Sequence, residues 1–200
     1  MSLSIEIICV GTELLIGKTL NTNANWLTKR ITNLGAKVER IIVIRDDIDE
    51  IVSVMKNAMQ RKNDFIITLG GLGPTFDDKT LEGIAKALNL KLEINNEALK
   101  MIEKRYRSYV KEGQMERFEL TQPRAKMARL PEKAEPLPNP VGTAPAALMK
   151  GDGKTVISLP GVPSEMKAIF ETAVLPILKR ITGDMVFSET SIVMTGVMES

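Results

Sequence analysis

Phe65-Ile66-Ile67-Thr68-Leu69-Gly70-Gly71-Leu72-Gly73-Pro74-Thr75-Phe76-Asp77-Asp78-Lys79-Thr80 is the stretch that decides how this chain folds. An apolar strand runs into three glycines, then two adjacent carboxylates, then a helix predicted to begin near Asp78. Glycine adopts φ > 0 without strain and leaves neighbouring amides open to a ligand. Main-chain N–H groups at such a turn, backed by a helix N-terminus, favour phosphate or another anion. An Asp pair at the same turn repels that anion unless a divalent cation sits between them. The combination therefore points to a phosphate–metal site. The plainer alternative is a strand-to-helix turn in which Asp77 or Asp78 only caps the helix.

Working outward, strands and helices alternate. Ile5 to Val10 is apolar apart from Glu6, as a parallel strand covered on both faces should be. Asn23 to Asn33 is predicted helical, with Ala24, Leu27 and Ile31 on one face and Gly35 just beyond its end. Val38 to Ile44 is the second strand, and Ile51, Val52, Met55 and Met59 form the stripe of the next helix. The glycine turn leads to a helix from about Lys79 to Leu88. Elements of these lengths in this order imply βαβ units and an α/β fold with a mostly parallel sheet.

Beyond Leu88 the pattern changes. Glu97 to Lys111 is predicted as a long charged helix whose inner face carries Leu99, Ile102, Tyr106 and Val110. Gly113 to Pro123 is a polar excursion without clear periodicity, and proline-rich Met127 to Asn139 is extended or looped. Ala146 to Met149 and Val156 to Leu159 flank Gly151-Asp152-Gly153, a hairpin signal. Ser164 to Ile181 is the last clear helix, bent near Pro176, and Ser191 to Met194 is a further strand.

Composition narrows the chemistry. Two hundred residues, 44% apolar and 26% charged, suit one soluble globular domain. A net charge of +2 offers no strong electrostatic attraction for nucleic acid or a membrane surface, so neither is an expected partner. No apolar run reaches the ~18–20 residues of a membrane helix, and the first residues lack a signal-peptide pattern, so a cytoplasmic location is expected. Cys9 is the sole cysteine and cannot form an intrachain disulfide. Histidine is absent, which removes every His-based triad, zinc site and general base. Oxygen ligands remain, and they suit a hard ion such as Mg²⁺ or Mn²⁺.

In parallel α/β sheets functional loops gather at the carboxyl ends of the strands. Four polar segments fall there: Gly11-Thr12-Glu13 with Gly17-Lys18 and Asn21-Thr22-Asn23; Arg45-Asp46-Asp47; the glycine–aspartate turn; and Leu159 to Glu165. Each also has a purely structural account. Thr22 or Asn23 caps the first helix, Asp46 or Asp47 the second, and Ser164 the last. Convergence of all four on one sheet edge favours a site. Asn139 to Pro145, with Gly142 among small residues, is a weaker fifth segment.

Gly11-Thr12-Glu13-Leu14-Leu15-Ile16-Gly17 with Asn21-Thr22-Asn23 resembles the opening of the CinA (competence/damage-inducible) N-terminal domain. Gly70 to Thr75 with Asp77, Asp78 and Thr80 resembles its second motif, and Asn139 to Pro145 and Leu159 to Met166 its third and fourth. The wider superfamily is the molybdopterin-binding domain of molybdenum-cofactor biosynthesis proteins. The resemblance implies a three-layer α/β/α domain over residues 1–182, with 183–200 as the start of a further segment. It implies divalent-metal-dependent cleavage (Mg²⁺, Mn²⁺ or Co²⁺) of a nucleotide diphosphate conjugate such as ADP-ribose, giving AMP and a sugar phosphate. Members with a second, deamidating domain are longer than this chain. A homo-oligomer is expected.

On that reading Asp78, with Asp77 beside it, anchors the metal, and Asp46 or Glu13 serves as general base. Gly70, Gly71, Gly73 and Thr75 hold phosphate through amides, and Asn21 and Asn23 bind ribose or phosphate. Gly142 lies against the ligand. Gly161 and Ser164 offer the last helix N-terminus, and Lys18 stabilises transition-state charge. A molybdopterin-binding or adenylylating protein would use the same turn. A non-catalytic nucleotide-binding module would bind without turnover.

Overall fold

The computed structural model describes residues 3–183. The chain begins β1 (Ser4–Val10), α1 (Thr12–Leu15), α2 (Thr22–Thr32), β2 (Lys37–Ile44), α3 (Ile48–Gln60) and β3 (Phe65–Leu69). It continues α4 (Thr80–Ala87), β4 (Leu92–Ile94), α5 (Asn96–Lys111), α6 (Gln122–Lys126), β5 (Arg129–Pro131) and β6 (Glu135–Leu137). It closes with β7 (Ala146–Gly151), β8 (Lys154–Leu159), α7 (Pro163–Ile169), a π turn (Phe170–Val174) and α8 (Leu175–Thr182).

Strand alternation creates the layers. In β1, Ile5, Ile7 and Cys9 enter one apolar cluster while Ile8 and Val10 enter the other, following the two-residue period of a strand. Phe65, Ile67 and Leu69 of β3 join the first cluster and Ile66 the second. The first is covered by α2, α7, the π turn and α8, through Leu27, Ile31, Ile169, Phe170 and Leu178. The second is covered by α3, α4 and α5, through Ile51, Met55, Ile84 and Ile102. The result is a three-layer α/β/α domain.

The six-stranded sheet runs β2-β1-β3-β8-β7-β6. β2, β1, β3 and β8 are mutually parallel, and β7 and β6 add antiparallel at one side, so the sheet is mostly parallel as expected. β4 and β5 form a separate antiparallel pair. The β7–β8 hairpin turns through Asp152 and Gly153, both with positive φ. At the amino ends of the parallel strands, Glu6 is 1% exposed and accepts bonds from Arg61 Nε at 2.9 Å, Arg61 Nη2 at 2.5 Å and Asn63 Nδ2 at 3.2 Å. Lys154 Nζ donates to Arg61 O at 2.6 Å and to Asn63 O and Oδ1 at 2.7 Å, which stitches β8 to the same cluster.

Several local expectations are corrected. Neither Thr22 nor Asn23 caps α2: Asn21 does, with its Oδ1 accepting from Ala24 N at 3.2 Å. Of the two residues expected to cap α3, Asp47 does so, by accepting from Glu50 N at 3.0 Å. α4 starts at Thr80, after Lys79, and no aspartate caps it, because Asp78 is taken by Thr75. Ser164 caps nothing: Val162 stands at the N-cap of α7 without a side-chain bond, and Pro163 fills the first turn. The last helix departs from α geometry before Pro176, through the π turn. α8 restarts at Leu175, so Pro176 falls in a first turn where its missing N–H is harmless. α1 and α6 were not expected. The strand expected at Ser191 to Met194 lies outside the described residues, as does nearly all of 183–200. Among the described residues no helix is long and apolar enough to cross a membrane.

Candidate functional site

The connections leaving the carboxyl ends of β1, β2, β3 and β8 are tied to one another by side chains and close backbone contacts. Asp46 Oδ2 accepts from Thr12 N at 2.8 Å and Thr12 Oγ1 at 3.0 Å, which joins the first segment to the second. Asn23 Nδ2 donates to Gly161 O at 2.7 Å, which joins the first to the fourth. Gly70 N donates to Leu159 O at 2.9 Å, and a Cβ on Gly161 would lie 3.4 Å from Gly70 Cα, so the third and fourth run in contact.

The glycine turn is shaped by what its neighbours occupy. Gly70 has φ +99°, and a Cβ there would stand 2.3 Å from Val10 O. Only glycine fits both constraints. Thr80 Oγ1 donates to Gly70 O at 2.8 Å and fills the place a Cβ on Gly71 would need. Asp78 Oδ2 accepts from Thr75 N at 2.9 Å and Thr75 Oγ1 at 2.6 Å, and this carboxylate lies where a Cβ on Gly73 would be. Asp78 is thus held by one oxygen and half-exposed. The exposed Asp77 carboxyl is held below the usual carboxylate range, first by the neighbouring Thr75 hydroxyl, then by its own backbone amide and last by the positive charges of Lys126 and Lys79.

These bonds change the assignment of phosphate donors. The amides of Gly70 and Thr75 are already engaged, to Leu159 O and Asp78 Oδ2, and are not available as expected. The amides of Gly71 and Gly73 have no partner among the described residues. Lys126, from α6, spans the turn: its Nζ donates to Asp78 O at 2.6 Å and also to Thr75 O. Burial pushes its ammonium pKa down, against the opposing pull of Asp78 and Asp77. Nothing near Lys126 in sequence marks it, since it reaches the turn from 48 residues away.

The expected residues do not share one cavity. Glu13, Asn21, Asn23 and Gly161 line a recess of about 120 Å³ together with Cys9. Gly71, Gly73, Asp78 and Lys126 line another of about 40 Å³. Both are smaller than the ~300–1,000 Å³ of an ordinary ligand pocket. Beside the second lies an open groove of about 510 Å³ formed by Pro74, Phe76, Ile94, Pro123 and Arg129. Phe76, at the tip of the turn, is 88% exposed. The sequence signal for this groove was a lone phenylalanine between the glycines and the aspartate pair. Asp46, Lys18 and Ser164 line neither recess.

Asn21 and Asn23 have work inside the protein: Asn21 caps α2 and donates to Cys9 Sγ at 3.2 Å, and Asn23 holds Gly161. Gly142 is buried, not open to a ligand, because the Glu165 carboxylate occupies its Cβ position. Asn139 organises that corner by donating to Glu165 Oε2 at 2.6 Å and accepting from Gly142 N at 2.7 Å. α5 braces it from outside, with Arg105 and Tyr109 both donating to Val141 O.

Residues 6–180 match a family described as a probable molybdopterin binding domain. A Pyrobaculum arsenaticum protein is 48% identical over 194 residues, 97% of this chain and 70% of that protein. An Aeropyrum pernix protein is likewise 48% identical over 194 residues, 97% of this chain and 69% of that one. Among solved structures, the protein CinA with unknown function from Thermoplasma acidophilum superposes with a TM-score of 0.78 at 41% identity, over 88% of this chain and 98% of that one. The molybdopterin biosynthesis enzyme MoaB from Thermus thermophilus superposes with a TM-score of 0.56 at 16% identity, over 91% of this chain and 98% of that one, and shares the fold alone.

Proposed function

Because this chain belongs to the molybdopterin-binding domain family, in its CinA-like branch, we propose that its carboxyl edge binds a ring-bearing phosphate compound of the molybdopterin type. One observation carries the reading. The unpartnered amides of Gly71 and Gly73 open beside an Asp78 carboxylate that is fixed through one oxygen only. The amides supply donors to a phosphate, and the second Asp78 oxygen is left for a cation or a ligand N–H. The Phe76 groove adjoins this point and gives an aromatic ring an apolar surface to stack on.

A hard divalent cation fits this donor set. Among the described residues no group of three or more His, Cys, Asp or Glu is placed to hold a metal by itself. Mg²⁺-like ions are commonly bound by one or two carboxylates plus the phosphates of the ligand, which suits Asp78. Such a cation would neutralise phosphate charge and offset the repulsion that Asp77 and Asp78 otherwise exert. Lys126 contributes by fixing the turn through Thr75 O and Asp78 O, so the donors are preorganised.

Asp46 favours a second reading. Its Oδ2 is oriented by Thr12, and it stands on the same edge as a second fixed carboxylate, the type of group that activates water for in-line attack on a pyrophosphate. On this reading the domain hydrolyses an ADP-ribose-like conjugate to AMP and a sugar phosphate, with Glu13 as the other candidate base.

Calorimetric titration with molybdopterin and with ADP-ribose, each with and without Mg²⁺, separates the two when AMP release is followed by chromatography. Molybdopterin binding that weakens at least ~10-fold in Asp78→Ala supports the main reading. Metal-dependent AMP release lost in Asp46→Asn would replace it with the hydrolase. Nucleotide binding without turnover, and no pterin binding, would leave a nucleotide-binding module.

A further inference from the structure

On the α3–α4 face, toward the amino ends of the parallel strands, lies a cleft of about 640 Å³, larger than either recess at the carboxyl edge. That volume falls within the range of small-molecule sites. It is bounded by the last turns of α3, the segment leaving α4, the turn between β5 and β6, and the β7–β8 hairpin. None of the residues discussed for the carboxyl edge lines it.

Its chemistry is divided between floor and rim. Met59, Leu88, Met149 and Val156 give an apolar floor, and Met149 and Val156 are 5% and 3% exposed. Two thioethers in one floor favour an aromatic guest, since sulfur packs well against ring edges. The exposed Lys56, Lys133 and Lys150 reach the rim from three separate elements. None has an ion-pair or side-chain hydrogen-bond partner among the described residues. Glu132 and Asp152 also line the cleft, so three cations face two carboxylates and leave one positive charge uncompensated.

The backbone that frames the cleft turns sharply at three points. Among the described residues the non-glycine positions with positive φ are Asn89 (55°), Lys133 (65°) and Asp152 (50°), and all three line this cleft. Asn89 follows the end of α4 and Asp152 sits in a hairpin, where such conformations are common. Lys133 stands at the third position of the β5–β6 turn, which Ala134 N closes by donating to Pro131 O at 2.9 Å, so its positive φ is a turn conformation as well.

We propose that this cleft is a second ligand site, and that it takes an aromatic monoanion: ring on the methionine floor, acid group among the three lysines. One negative charge matches the single uncompensated positive one. A neutral ring would leave the lysines unused, and a metal cation would meet them as repulsion.

The probe is 1-anilinonaphthalene-8-sulfonate, an aromatic monosulfonate whose fluorescence rises in apolar surroundings, with N-phenyl-1-naphthylamine as the uncharged analogue. Saturable binding of one sulfonate per chain is expected, weakened at least tenfold in K56Q/K133Q/K150Q and unchanged in Asp78→Ala and Phe76→Ala. The uncharged analogue should bind the native chain and the triple variant alike. In ¹³C-methyl methionine spectra of the native protein, the sulfonate should shift Met59 and Met149 among the 11 methionines, which locates the site without relying on any variant. No saturable binding, binding indifferent to the three lysines, or shifts that spare both methionines would overturn the proposal. Loss of binding in Phe76→Ala would place the probe at the carboxyl edge and overturn it equally.

Discussion

At the amino edge of the sheet, Glu6 is 1% exposed and takes hydrogen bonds from Arg61 and Asn63, with Arg40 Nη1 a further 3.8 Å away. At the carboxyl edge, Asp78 is half-exposed and its side chain is bonded by Thr75 alone. Glu6 is surrounded by donors because a buried carboxylate without partners is costly. Asp78 is left partly open because water can satisfy the remainder and a ligand can replace that water. The difference shows how one domain keeps a rigid end and a receptive end. Fixed charges at the amino edge hold the strands in register, and glycines at the carboxyl edge remove side chains where backbone must meet a guest.

Gly70 is where the contrast should break most severely. Gly70→Ala places a Cβ 2.3 Å from Val10 O at φ +99°. It should cost roughly 3–5 kcal/mol of stability, measured by urea unfolding, because the receptive edge depends on an irreplaceable backbone contact. An unchanged midpoint would show that the turn has room to relax. Asp78→Ala should do the reverse, lowering affinity for the phosphate ligand by about 10–100-fold while the unfolding midpoint moves by about 1 kcal/mol or less. A large stability loss there would mean that Asp78 is scaffold, not site.

Glu6→Gln sharpens the other side. Removing one member of a buried pair commonly costs about 3–5 kcal/mol, but the Arg61 side chain is 32% exposed and can turn to water. About 2 kcal/mol is therefore expected from thermal unfolding, with ligand affinity unaltered. The smallest effect concerns Cys9, which lies near the carboxyl edge yet is 1% exposed. Burial pushes its thiol pKa up, and the bond from Asn21 opposes this only partly. With the folded pKa above the unfolded one, stability is fully present below the ordinary thiol range near about 8.5 and falls as pH rises through the folded value. Unfolding curves from pH 7 to 10 should show this decline in the native chain and less of it in Cys9→Ala.

The layer architecture was legible because it is written locally. Alternation in Ile5 to Val10 and Phe65 to Leu69 marks strands covered on both faces, and the glycines after Leu69 mark the strand end where function gathers. The cap of α2 was misassigned by one or two positions, since Asn21, Thr22 and Asn23 are all good cap residues and only the fold chooses among them, whereas that of α3, Asp47, was one of the two expected. The site was half legible. Glycine and aspartate positions announce a turn, but which amides stay free depends on where the Leu159 carbonyl and the Asp78 carboxylate accept in space. Lys126 was invisible because it joins the site across a long separation, and Glu165, although inside the fourth segment, gave no local sign of its meeting with Asn139.

The β3–β8 pairing has a consequence for how this molecule comes to exist. The register sets Phe65 against Thr155 and Leu69 against Leu159, so the central ladder joins strands that lie far apart along the chain. Closing so long a loop is entropically costly, and topologies dominated by such contacts fold slowly. β1, β2 and β3 can associate early, as a half-sheet built from nearby segments, whereas Gly161 reaches Gly70 only after β8 docks. The receptive edge is thus complete only once β8 has paired with β3, and a ligand that bridges its two halves would fasten that long-range pairing and with it the whole domain.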